Sequence, residues 1–241
     1  IEAGVPYPRY EFAEREGDLE KAIARLGGLP LVFKPTRKAG ARGVSVAETM
    51  SDLRRAFEEA ASYGGPVIIE ELIIGREIST EHVLYGGEIY TTGFADRNYD
   101  RKRFAPYVIE DGHTIPSTLD DEMQREVIAV AASAIRALGI ASGPAKGDLT
   151  VTPSGRIVVF EMACRTSGGR FCSDMVPLAT SVSILKPLVQ MAVGDRVDTA
   201  DLLPKFDHAA AQRFFWPSPG IVTGITLVPL DEGVHDIVID L

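Results

Sequence analysis

The sequence predicts an α+β fold built on antiparallel sheets, and three observations carry that reading. Strand-like runs are joined by tight glycine-bearing turns, as in "LYGGEI" at Gly86-Gly87 and "TPSGRI" at Pro153-Ser154-Gly155. Helical patterns are few and do not alternate with the strands, which disfavours a parallel sheet made by helical crossovers. The chain has 241 residues and is 45% hydrophobic, enough for one large unit or two small ones with a real core.

The elements follow in order. Asp18 stands at the cap of a short helix, "DLEKAIARLG", ended by Gly27 and Gly28. "LPLVFKP" reads as a buried strand finishing on Lys34, and "TRKAGARGVSVAE" as a loop carrying Gly40 and Gly43 that returns as a strand. Ser51 is expected to cap "DLRRAFEEAASY", whose Leu53, Ala56, Phe57, Ala60 and Ala61 recur at helical spacing. "GPVIIEELI" is an apolar strand, and "REISTEHVLYGGEIYTTGF" a hairpin. A polar loop, "ADRNYDRKRFAP", precedes a strand through "YVIEDGH" and a long amphipathic helix from Asp120 to Leu138. The second hairpin, "KGDLTVTPSGRIVVFEMA", is followed by the helix "SVSILKPLVQMAVG" and a tail that reads as strand-rich. "IEAGVPYP" begins like the end of a helix and "VHDIVIDL" stops inside an alternating pattern, so a piece of a longer chain is expected.

Composition excludes several classes. A net charge of -9 argues against nucleic acid as the main partner, because phosphate backbones want a basic face. No apolar run approaches the roughly 18 residues of a membrane span, and no signal-peptide pattern precedes the first strand. The two cysteines, Cys164 and Cys172, form no CxxC pair and no disulfide framework, so a reducing cytoplasm is the expected compartment.

Three stretches carry candidate chemistry. After Lys34, the glycine-rich turn can wrap backbone N–H groups around phosphate oxygens while the lysine neutralises charge. A flexible surface hairpin has the same composition, and no G-K-[ST] opens a helix here. In "VIIEELIIGREIS", a strand end can present a C=O and an N–H to an adenine edge with Leu72 and Ile73 as apolar wall, and Glu77 can accept from ribose hydroxyls. Solvated strand glutamates would read the same way. In the second hairpin, counting from a turn near Ser154 places Asp148 and Glu161 on neighbouring strands, where both can face one side. Two carboxylates that close repel unless a cation sits between them. Mg2+ takes such oxygen ligands and completes its shell with water and phosphate. Arg165 can then reach a phosphoryl oxygen. A surface hairpin with one acid per strand is the plainer alternative.

The order of these stretches resembles the ATP-grasp superfamily, in particular its carboxylate–amine ligases, over nearly the whole chain. "AGVPYP" is similar to the entry into that module, "VFKPTRKAGARGV" to its phosphate loop, "VIIEELIIGREIS" to its adenine and ribose strand, and "GDLTVTPSGRIVVFEMACR" to its metal hairpin. "APYVIEDGHTIPSTL" resembles amino-acid-ligase members, and "HAAAQRFFWPSPGIVTGI" a lid-like C-terminal piece of biotin-carboxylase relatives. The resemblance implies two α+β subdomains clamping ATP: residues 1–65 with the phosphate loop, 66–196 with the adenine strand and metal hairpin, and 197–241 beginning a lid. It implies ATP-phosphate contacts from Lys34 and from Gly40, Ala41, Arg42 and Gly43. Adenine contacts would come from Glu70, Glu71 and Ile73, and a ribose contact from Glu77. Asp148 and Glu161 would hold Mg2+, with Mn2+ able to substitute, and Arg165 would be catalytic.

The implied reaction is ATP-dependent activation of a small, amino-acid-like carboxylate as an acyl phosphate for attack by an amine. Its implied partners are those two small molecules and, as an allowed assembly, a second copy of the chain. Alternatives are a lapsed ATP-binding or regulatory module and bicarbonate activation. The first is motivated by Ala163, where the family usually has a third metal ligand, Asn; the second is motivated by the tail. The family's second ATP-binding lysine lies upstream of these residues, so the fragment alone is expected to be inactive. The basic run Arg101, Lys102 and Arg103 suits either a substrate carboxylate or solvent. His113 is expected to be a strand-end histidine held by a neighbour, Cys164 and Cys172 packed thiols, and Trp216 core.

Overall fold

In the computed structural model, residues 3–99, 104–218, 220–226 and 229–238 are described. Two sheets form, and every strand pair in them is antiparallel. The four-stranded sheet has the order β1-β4-β2-β3, with β1 Tyr10–Ala13, β2 Leu31–Pro35, β3 Ser45–Ala47 and β4 Val67–Glu71. Helices α1 (Leu19–Leu26) and α2 (Leu53–Ala61) cover it. Leu19, Ala22 and Leu26 from α1 and Leu53, Ala56, Phe57 and Ala60 from α2 meet Leu31, Phe33, Val67 and Ile69 in one core. The apolar positions sit one helical turn apart, so one face of each helix is buried. Because β4 pairs with both β1 and β2, the small unit runs through Glu71 and does not end at residue 65.

The six-stranded sheet has the order β10-β7-β6-β5-β8-β9. Its strands are β5 Arg76–Tyr85, β6 Glu88–Tyr99, β7 Glu110–Ile115, β8 Gly143–Val151, β9 Ile157–Ala163 and β10 Ala210–Ala211. One face packs on α3 (Asp121–Ala137) through Ile78, Leu149, Ile157 and Val159 against Val127, Ala131 and Ala134. Asp120 caps α3 by accepting from the Met123 N–H. The other face is apolar at one end only. There Val83, Ala95 and Ile115 lie under a π-helical turn (Phe171–Met175), α4 (Val176–Thr180) and neighbours out to Leu202. Helix α5 (Leu185–Val193) follows α4. At the open end the same face is polar.

Several local expectations are corrected. The cap before α2 is a box of Thr49 with Asp52, whose carboxylate accepts from the Thr49 N–H and hydroxyl; Ser51 lies inside the turn. Asp18 accepts backward from the Glu14 and Arg15 N–H groups and makes no forward bond into α1. "ADRNY" is strand, since β6 continues to Tyr99 against β7; the Arg101–Arg103 run lies outside the described residues. The tail is not strand-rich. Among its described residues Ala210 and Ala211 form the strand part, opposite Ile115 and Thr114 on β7, and backbone bonds of Gln212 with His113 and of Phe214 with Asp111 carry the contact a little further.

Candidate functional site

The polar face is laid out by the two-residue period of the strands. On β5, Glu77, Ser79 and Glu81 share one face. Directly opposite them on β8 stand Thr150, Asp148 and Lys146. Arg97 on β6 pairs with Glu77 on one side and with His113 of β7 on the other. On β9, Glu161 stands across from Asp148 and Ala163 across from Lys146. The hairpin therefore places the two predicted carboxylates face to face. A bulge makes this register work: Leu149 pairs with Val159, so Phe160 is the extra residue.

The two carboxylates have different surroundings. Asp148 is buried. Its Oδ2 is met by Arg97 at 2.7 Å and by Lys146, and its Oδ1 accepts from the Ser79 hydroxyl at 3.1 Å. Arg97 is shared with Glu110, so the buried pair Asp148 and Lys146 is joined by a part-buried base and a part-buried acid on this face. Such groups are tolerated inside only because they neutralise one another. Glu161 is half exposed and bonds Arg165 at 3.0 Å. The repulsion expected between the acids is thus met by cations of the chain itself.

Other predicted residues fall as follows. Lys34, at the end of β2, pairs with Glu70 and lies 5.5 Å from the Phe160 ring centroid, beside Glu161. That contact brings the small sheet's lysine to the carboxylate hairpin. Gly40, Ala41 and Arg42 are exposed, with positive φ at Gly40 and Ala41. Gly43 is buried at φ +75, and a Cβ there would lie 2.3 Å from the Tyr63 ring, so only glycine closes the loop. Glu71 points away from Glu70: Arg9 donates its backbone N–H at 3.0 Å and its Nε–H at 2.9 Å to it, and Arg156 lies 3.5 Å away. Ile73 is buried in the link to β5, and Glu77 is buried at the rim of an open cleft of about 770 Å³ that Arg97, Tyr99 and Thr118 also line.

His113 is held by neighbours as expected: Nε2 lies 3.2 Å from Ser79 Oγ and Nδ1 3.3 Å from Glu110, with Phe171 against the ring. Burial lowers its pKa. Cys172 is buried, but Cys164 is exposed, since it follows the last residue of β9. Trp216 is 41% exposed and touches Phe104 and Phe214 at the surface rather than filling a core.

Sequence reasoning missed Lys146, Arg97, Ser79 and Glu81. Lys146 was within reach, since K-x-D on a strand puts both side chains on one face. Glu81 followed from the same alternation counted from Glu77. Burial pushes the Glu81 carboxyl up to about 7, against the lowering effect of the Ser167 N–H and of Lys146 and Arg165 nearby.

This pair of antiparallel sheets is the ATP-grasp fold. A solved L-amino acid ligase from Bacillus licheniformis superposes with a TM-score of 0.70 at 22% identity, covering 83% of this chain and 46% of that one. A biotin carboxylase from Campylobacter jejuni, solved with an ATP analogue, also gives 0.70, at 20% identity, covering 84% of this chain and 46% of that one. Residues 2–178 match the family described as D-ala D-ala ligase C-terminus, and the chain belongs to that family. The D-alanine–D-alanine ligase of Cupriavidus metallidurans is 33% identical over 182 residues, 73% of this chain and 54% of that protein. The chain thus spans about half the length of the curated relatives it matches. Among the described residues no single helix is long and apolar enough to cross a membrane.

Proposed function

We propose that this chain is the nucleotide-binding half of a ligase that uses ATP and Mg2+ to activate a small, amino-acid-like carboxylate and couple it to an amine. The observation that carries the reading is the facing pair Asp148 and Glu161 across β8–β9, with Lys34 brought beside Phe160. Names of relatives add that D-alanine is the first carboxylate and amine to try.

The residues fit a divalent ion that keeps most of its own ligands. Among the described residues no cluster of three or more His, Cys, Asp or Glu side chains forms a closed cage. Mg2+ usually takes one or two carboxylates plus water and phosphate, and Mn2+ accepts similar oxygen ligands. Glu161, which among the described residues would have Arg165 to release, and Asp148 Oδ1, with a lone pair beyond the Ser79 contact, would hold it. When bound, the ion would neutralise phosphate charge. Ala163 supplies no ligand.

The chain's own groups have assigned tasks. Lys34, freed from Glu70, would neutralise phosphate oxygens, while the 40–43 backbone folds over them. Glu70 and Ile73 would border the adenine, and Glu77 would accept from the ribose. The Glu71 carboxylate is committed to Arg9, so we assign its side chain to holding β4 against the N-terminal segment rather than to adenine. Phosphoryl transfer to the carboxylate gives an acyl phosphate and ADP; attack of the amine gives the amide and inorganic phosphate. Arg165 would stabilise the charge developing in both steps.

The test is ADP release by the full-length protein over a panel of acid and amine pairs, beginning with D-alanine. Release that needs both partners supports the ligase. Release driven by bicarbonate alone would favour carboxylation. ATP binding with no release for any pair would leave a binding module and end the ligase reading.

A further inference from the structure

Glu81 is fully buried on β5 and takes no part in the steps above. Both of its carboxylate oxygens receive the Ser167 N–H, at 3.0 and 3.3 Å. Lys146 stands opposite it on β8, and Gly93 stands opposite it on β6. A Cβ at Gly93 would lie 2.6 Å from Val176 and 3.2 Å from the Glu81 Cβ, so that glycine makes the space in which the carboxylate lies. Above the carboxylate, the Cys172 thiol donates to the Ser167 carbonyl at 3.1 Å. The Ser167 residue is therefore pinned through both its N–H and its C=O.

Ser167 lies two residues beyond Arg165, in the turn between β9 and Arg170, whose φ is +62. An exposed arginine on such a turn has many rotamers, and turnover needs the one aimed at phosphate. We propose that Glu81 is a positioning residue: from beneath the 164–169 turn it holds the Ser167 amide, and this hold sets where Arg165 points. Lys146, Arg165 and Cys172 are the titratable groups that face it, from β8, from the turn and from the π-helical turn. A charged acceptor holds an amide more strongly than a neutral one. The hold therefore tightens as Glu81 ionises, around pH 7. This inference rests on the ligase reading for its effect on turnover, but the anchor itself does not.

Two measurements on the full-length protein test it. The first is amide hydrogen exchange at Ser167 without ligand, corrected for the intrinsic rate. Wild type is expected to gain about tenfold in protection from pH 5.5 to 8.5, and Glu81→Gln to show a flat, weaker profile. The second is steady-state kinetics, in which Glu81→Gln should lower kcat about tenfold while KM for ATP stays within about twofold. A purely structural role would lower the amount of active enzyme and leave the pH profile of the survivors unchanged. Flat protection in wild type overturns the proposal without any variant, and so does a Glu81→Gln enzyme with wild-type protection and kcat. A wild type that releases no ADP with any pair fails the ligase reading, and the exchange profile still decides the anchor.

Discussion

The two sheets share one pairing rule and treat charge in opposite ways. In the four-stranded sheet the ion pairs Arg9–Glu71, Arg25–Glu11 and Lys34–Glu70 each keep a base more than a quarter exposed, beside a cluster of buried apolar side chains. In the six-stranded sheet Glu81, Lys146 and Asp148 are drawn inside, onto one end of one face, with Arg97 part-buried against Asp148. Surface pairs contribute about 0–1 kcal/mol, whereas buried charges cost several kcal/mol each unless matched. A chain that could have filled that end with valine, as it does at Val83, instead carries a matched set of charges there. Under the proposed function the small sheet would supply a scaffold and the phosphate loop, and the large sheet an electrostatic floor.

The sharpest break of this contrast is Asp148→Ala. It leaves Lys146 and Arg97 facing each other in the interior, and should lower unfolding free energy by about 3–5 kcal/mol in urea titrations. A loss under about 1 kcal/mol would show the floor to be wet and weakly coupled.

Next comes pH, through two neighbours on opposite faces of β5. Burial lowers His82 to about 4, so its contribution is whole above the unfolded value near 6.5 and is lost as pH falls toward 4. Glu81, raised to about 7, contributes fully below the unfolded value near 4.5 and loses that contribution as pH rises through 7. Between pH 4.5 and 6.5 the two slopes oppose each other. His82→Gln removes one of them, and stability should then fall by up to about 3 kcal/mol from pH 4.5 to 7. Unfolding free energies that parallel wild type across that range would count against a buried, neutral His82, and a flat profile in the variant would count against the raised Glu81.

Arg25→Ala, in the small sheet's surface pair with Glu11, should cost less than about 1 kcal/mol, and 0.5 M salt should shrink the difference further. Glu161→Gln sits at the end of the stability scale and at the top of the activity scale. Being half exposed, it should stay within about 0.5 kcal/mol of wild type while turnover falls below detection. Asp148 and Glu161 face each other, so this pair of variants separates the acid that also carries stability from the one that matters to turnover alone.

Much of this was legible because hairpin turns fix register. Gly86-Gly87 and Pro153-Ser154-Gly155 set which strands pair and in what register, but Asp148 meets Glu161 only because a bulge at Phe160 shifts the second hairpin by one residue. What the turns do not encode is strand order. Arg97 reaches Asp148 only because β5 lies between β6 and β8, and Glu81 meets Ser167 only through the turn that follows β9. The tail misled for a related reason: alternation makes a strand only beside an edge that is free to pair, and β7 takes up the tail only from Ala210 to Phe214. Cys164 looked packed because it follows an apolar strand, but the chain leaves the sheet at Ala163.

The account's central claim, that this face activates a carboxylate by phosphorylating it, is tested most directly by oxygen transfer. The full-length protein is given ATP, an amine and a substrate, D-alanine first, labelled with 18O in its carboxylate. The account predicts one 18O atom in each inorganic phosphate released, and no release by Glu161→Gln. Unlabelled phosphate, or label appearing in AMP, would contradict it.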